Sequence, residues 1–236
     1  MIITPFTSPF SARRGSSLNP LTDINGLHTY LNRKNATASS WLDQSINAYD
    51  FVQAIGTKQP TIGANSVDYD NIDDIHVKTV ANPFSGDSSG IVFFSGYNTD
   101  NTQRYFASSD NSGVTDWIGF AVASNKIGVF TIIGGSSNFV TSDTVLPLGY
   151  FYSYIKSNGT SYEFSVNGVI TTSTGTSNGL WFADVPNRDA LEIGGVLRNT
   201  PLYGDANIAG IIYTNDHTVD VAPINNFMSN PNNFKL

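Results

Sequence analysis

The sequence predicts an all-β fold, an antiparallel sandwich of short strands preceded by an extended N-terminal arm. Three observations carry this. Apolar runs of strand length recur from residue 25 onward, separated by Gly, Asn, Asp and Ser. Asn-Gly pairs stand between such runs, where tight hairpin turns need positive φ. A single stretch near the C-terminus reads as helix. No repeat and no interior linker divides residues 25–236, so one sandwich is the simplest partition of the 236 residues.

Residues 1–24 read as the arm. Thr4-Pro5-Phe6 and Ser8-Pro9-Phe10 repeat a Pro-Phe unit, and Arg13-Arg14 follows. Proline favours extended backbone and cannot join a central strand ladder. Phe6, Phe10, Arg13 and Arg14 are therefore candidates for docking onto a neighbouring subunit; a tail folded back on its own domain is the plainer alternative.

Ile91–Gly96 is an apolar run of strand length. Trp117–Val122 and Ile127–Ile132 flank Ala123-Ser124-Asn125-Lys126, a hairpin pattern. Tyr150–Ile155 and Ser161–Val166 flank Ser157-Asn158-Gly159-Thr160, and Asn167-Gly168 turns into Val169–Thr172. Period-two alternation puts Tyr162, Phe164 and Val166 on one face. Leu191–Gly195 and Ile208–Tyr213 read as closing strands. Val219–Met228 is the helical candidate, with Pro223 limiting where it starts.

Composition narrows function. Apolar residues make up 40% and aromatics 12%, enough for a sizeable core, while charged residues are only 13%. Ser, Thr, Asn and Gly must cover the surface, as is common in lectins, fibres and coat proteins. Net charge is −7 with 12 Lys and Arg, whose tight pairs are Arg13-Arg14 and Arg33-Lys34, which argues against nucleic-acid binding. The chain has no cysteine, which removes disulfides, thiol nucleophiles and Cys-ligated zinc. No apolar run approaches the ~20 residues of a membrane span, and Met1–Phe6 lacks a signal-peptide pattern.

Two ordered groups of motifs carry a resemblance. Trp41-Leu42-Asp43-Gln44-Ser45, Gln59-Pro60-Thr61 and Val67–Asp74 form the first, with Tyr69 and Asn71 where Phe and Gly are usual. Val166-Asn167-Gly168, Leu191–Gly195 and Gly204–Tyr213 form the second. Together they resemble the concanavalin A-like, laminin G-like superfamily over roughly residues 25–230. The resemblance implies a jelly-roll sandwich, a fold that hosts lectins, enzymes, adhesion modules and virion proteins alike. A Pro/Phe arm directly before one such domain is similar to phage virion structural proteins. That likeness implies assembly in a host cytoplasm and a place on the virion surface, with the arm docked on other virion proteins.

Few constellations could carry chemistry. Glycoside hydrolysis needs two placed carboxylates, and the two glutamates, Glu163 and Glu192, have neither an acidic neighbour at i+2 nor a Glu at i+5. His28, His76 and His217 are scattered and read as packing or surface residues. Asp68, Asp70, Asp73 and Asp74 admit a calcium reading, without EF-hand spacing; a family-typical acidic strand start is the plainer account. Trp117, Trp181 and Tyr203 are candidate glycan contacts, with Trp181 read as the more exposed and Trp117 as better suited to core packing.

These observations predict a non-enzymatic virion decoration protein. A carbohydrate-binding host-attachment module is the alternative, with cell-surface glycans as partners, and a divergent glycosidase is the minor one. Exposed edge strands and the commonness of symmetric assembly predict a homo-oligomer.

Overall fold

The computed structural model describes residues 18–99 and 102–235. Phe6, Phe10, Arg13 and Arg14 lie outside the described residues.

Helix α1 spans Pro20–Asp23, capped by Asn19, whose side chain accepts from the Leu21 N–H at 3.2 Å. Ile24 is buried beside it. The end of the predicted arm is thus helical and packed rather than extended, because Ile24 and the half-buried Leu18 join an apolar cluster on the domain. The strands follow: β1 Leu27–Ala36, β2 Ser40–Asp43, β3 Phe51–Val52, β4 Thr61–Ile62, β5 Val67–Asp70 and β6 His76–Thr79. Next come β7 Gly90–Asn98, β8 Gln103–Ser109, β9 Trp117–Ala123, β10 Lys126–Ile133, β11 Ser136–Ser142 and β12 Gly149–Ser157. The last are β13 Tyr162–Val166, β14 Val169–Thr171, β15 Ser173–Thr174, β16 Ala190–Ile193, β17 Gly195–Val196, β18 Leu202–Tyr203 and β19 Asp205–Thr214, before helix α2, Val221–Ser229.

All pairings are antiparallel. A back sheet runs β2-β1-β19-β7-β12-β13-β14. A front sheet runs β3-β6-β16-β8-β9-β10-β11-β15. The two join at one corner, where β2 pairs with both β1 and β3. This is the antiparallel, concanavalin-like jelly roll that the sequence predicts.

The core lies between the sheets. Leu31, Phe94, Phe151, Phe164 and Ile211 from the back meet Phe51, Phe106, Phe120, Val129 and Leu191 from the front. Tyr162, Phe164 and Val166 all reach this core, as period-two alternation requires. The outer face of the back sheet is apolar as well. Tyr30, Ile91, Phe93 and Ile212 lie under Ile224 and Met228 of α2, one helical turn apart. The back sheet is therefore covered on both faces, which explains why Ile91–Phe94 reads as continuously apolar. Among the described residues no helix is long and apolar enough to cross a membrane.

Turn chemistry follows the sequence. Ser124 and Asn125 take positive φ between β9 and β10. Asn167 and Gly168 do the same between β13 and β14, with φ of 51° and 80°. Gly194, at φ 84°, lets the chain leave β16 against the ring of Tyr69; a Cβ there would sit 2.1 Å from Tyr69 Cδ1.

Candidate functional site

The front sheet's core face is largely apolar, and its opposite face carries a second apolar surface. On β9, β10 and β11, residues 117, 130 and 139 share that outer face by register. Phe130 pairs with Gly119 and with Phe139, and Ile132 pairs with Trp117. Trp117 and Phe130 stack at 6.2 Å between ring centroids, and Phe130 and Phe139 at 3.6 Å. The three rings form a ladder across three neighbouring strands. Its outer end is open: Phe139 is 40% exposed.

The other end passes beneath an arch made by β17, β18 and the segment between them. Val196 of β17 packs on Trp117 and Ala107, with Leu202 of β18 beside them. Between arch and sheet lies a cavity of about 30 Å³, lined by Trp117, Phe130, Gly119, Ala121, Arg104 and Val196, among others. That is room for a water molecule. Arg104 Nη1 donates to the Tyr203 carbonyl at 2.8 Å, and Arg198 Nε to the Thr200 carbonyl at 2.9 Å, so two guanidinium groups are tied to the arch. Burial depresses the basicity of Arg104, and the charge of Arg198 depresses it further. Trp117 is only 7% exposed, and its buried Nε1 has no hydrogen-bond partner.

The arch is fastened from below by Ser109, whose Oγ lies 2.5 Å from Glu192 Oε1 and also contacts the Leu197 carbonyl. A hydroxyl has one proton to give. If it goes to the carbonyl, the Glu192 oxygen must bring its own. Glu192 is 0% exposed, and burial pushes its pKa up to about 8 despite hydrogen bonds from Ser109 and the Leu197 backbone. It is a neutral structural acid near pH 7.

The predicted site residues separate. Trp117 belongs to the ladder and Tyr203 to the arch, where its carbonyl orients Arg104. Trp181 does not join them: it is 0% exposed, and its Nε1 donates to Tyr213 Oη at 3.3 Å. The sequence reads it as the more exposed ring, yet the short 3-10 turn Phe182–Asp184 folds it into the core against Phe120. Phe130 and Phe139 escaped the sequence reading. The available signal was that Ile127–Ile132 is apolar on both faces, which an amphipathic strand has no packing reason to be.

The four aspartates also separate. Carboxylate oxygens of Asp70, Asp73 and Asp74 lie within 4.8 Å of one another. Asp68 turns instead to the Ser66 hydroxyl at 2.5 Å. Asp70 Oδ1 already accepts from the Ile72 and Asp73 N–H groups. Burial, then the charges of Asp70 and Asp73, raise the Asp74 carboxyl to about 6. Three carboxylates fall short of the six to eight oxygens calcium takes, so backbone or water would have to supply the others.

The glutamates stand apart. Glu192 is sealed in the front sheet; Glu163 lies on β13 of the back sheet, accepting from Tyr154 Oη at 2.8 Å. The histidines remain scattered. His76 is buried against Tyr69 Oη at 2.8 Å, and burial lowers its pKa to about 4. His28 sits 2.9 Å from Asp87, and His217 3.1 Å from Ser89 Oγ.

No family model and no curated protein matches the chain. Solved structures do. A Trypanosoma rangeli sialidase in complex with 2,3-difluorosialic acid matches at a TM-score of 0.64 and 14% identity, over 96% of this chain and 36% of its own. The CBM40 of Ruminococcus gnavus IT-sialidase matches at 0.51 and 11%, over 69% of this chain and 92% of its own. The same CBM40 bound to α2,3-sialyllactose gives 0.50 and 12%. The chain spans about a third of the length of the trypanosomal sialidase. At these identities the likeness is one of fold: a β-sandwich shared with sialidases and a carbohydrate-binding module.

Proposed function

We propose that this protein is a non-catalytic carbohydrate-binding sandwich whose front face carries the site. The observation that carries the reading is the Trp117–Phe130–Phe139 ladder, an aromatic surface beside two tethered arginines, covered by the arch at its Trp117 end and open at Phe139. Sugar rings present apolar C–H faces that stack on aromatic rings, while their hydroxyls need fixed polar groups nearby. A CBM40 of the same fold bound to sialyllactose adds support at the level of fold. The separation of Glu163 from Glu192 supports a binding rather than a hydrolytic role, since neither can partner the other across a glycosidic bond.

A glycan array probed with the full chain tests this. The expected result is binding to a defined set of glycans that falls at least about tenfold in Phe139→Ala, a substitution at a partly exposed ring with little effect on folding. Silence across the array, or binding indifferent to Phe139, would overturn the reading. Release of reducing sugar from a bound glycan would overturn its non-catalytic part.

The virion placement has the arm sequence behind it, and the sialidase and CBM40 likenesses lend it no support. Deleting residues 1–17 would test it directly: loss of incorporation into particles, with the sandwich still folded, is the outcome it requires. Homo-oligomerisation likewise remains a proposal, checked by light scattering of the purified chain.

A further inference from the structure

We propose, building on the glycan-binding reading of the front face, that the site selects sugars bearing an anionic group, a carboxylate or a sulfate, and that Arg104 and Arg198 hold that group. The other arginines among the described residues, Arg33 and Arg188, are buried. Arg188 is buried and spends its N–H groups on the carbonyls of Val185, Pro83 and Phe182 and on Ser108 Oγ. Arg33 does likewise on the carbonyls of Gly63 and Ser66. Arg188 has most of its hydrogen-bonding capacity consumed, while Arg33 keeps a buried Nη1 without a partner.

Arg104 and Arg198 are arranged otherwise. Each is anchored through one nitrogen to an arch carbonyl, Tyr203 and Thr200 respectively, out of the five N–H donors a guanidinium offers. The tether fixes direction while leaving donors over. The ion pairs among the described residues are His28 with Asp87 and Lys156 with Glu163, and neither arginine takes part in one. The two stand near enough for the charge of Arg198 to weigh on Arg104, which also lines the apolar cavity. Holding like charges together beside apolar surface costs free energy unless an anion comes between them. Trp117 lines the same cavity, and its buried Nε1 has no hydrogen-bond partner. The chain's net charge of −7 makes its overall field repel anions, so capture must be local and bidentate, which guanidinium groups do better than ammonium groups.

The experiment uses an array in which glycans are present in matched sets: sialylated and asialo forms, sulfated and unsulfated forms. The expected result is that acidic members bind at least about tenfold more strongly than their neutral parents, the size of one charge-assisted hydrogen bond. Arg198→Gln, at a half-exposed position, should bring that ratio towards one, and Arg104→Gln should do so in protein shown to be folded by circular dichroism. Preference confined to the sialylated or to the sulfated series would identify the group. Equal binding of acidic and neutral partners that still depends on Phe139 would overturn this inference and leave the glycan reading standing. An acidic preference unaffected by either arginine substitution would overturn the assigned residues. No binding at all would overturn both.

Discussion

Trp181 shows how much a residue's role depends on what it is packed against. Its indole donates to Tyr213, whose hydroxyl donates to Asp87 at 2.6 Å, so the ring belongs to a buried polar chain rather than to a surface. Trp181→Phe should lower stability by on the order of 1–2 kcal/mol, the cost of a lost buried hydrogen bond and some packing. Glycan binding by the folded fraction should not change. Urea denaturation followed by binding at saturating fold checks both, and a loss of binding would restore Trp181 to the site. Glu192 makes the opposite prediction. Its folded pKa, near 8, lies above its ordinary value, so it binds a proton in the native state that the unfolded chain gives up. Its contribution is intact below about pH 4.5 and declines as pH rises towards about 8. Glu192→Gln keeps the shape without the ionisation. It should therefore be more stable than the parent at pH 8, on the order of 1–3 kcal/mol, and equal at pH 4; melting curves at the two pH values decide it.

At the scale of elements, turns were readable because their chemistry is local. Asn167-Gly168 predicted a tight hairpin, and the backbone there takes the left-handed angles those residues tolerate. Pro223 limits where the C-terminal helix starts, and Asp220 caps it, accepting from the Ala222 N–H at 3.0 Å. Asp220→Ala should cost about 1 kcal/mol in chemical denaturation, with hydrogen exchange rising in α2 before the front sheet. The acidic turn after β5 is local too, but its meaning is not. Sequence alone could not say that Asp68 turns to Ser66 while Asp70, Asp73 and Asp74 converge. With three carboxylates, one of them raised to about 6 by burial and then by its acidic neighbours, calcium should bind no tighter than about millimolar. Micromolar binding by calorimetry would contradict this and make the turn a true metal centre.

Over the whole molecule, acid stability should hinge on Asp87, which ties His28, Tyr213 and Asn215 together between β1, β7 and β19. Burial works to raise this carboxyl, but the hydrogen bonds it accepts outweigh that and hold its pKa below the ordinary value. Its contribution is present above the unfolded value near 3.9 and is lost as pH falls through the lower folded one. Asp87→Asn should accordingly shift the acid unfolding midpoint upward and flatten the approach to it; an unchanged acid limb would remove Asp87 from that role. The sequence by itself determined the all-β class, the hairpins at residues 123–126 and 167–168, the closing strands and the inward face of β13. All of these follow from period-two alternation and turn stereochemistry, which act over a few residues. The tertiary structure alone decided that Trp181 is core, that α2 covers the back sheet, and that Phe139, Phe130, Trp117 and the arch arginines meet on one face. Those residues lie as many as 94 positions apart in the chain, from Arg104 to Arg198. Their meeting depends on how two sheets pair and stack, for which no local rule in the chain carries the information.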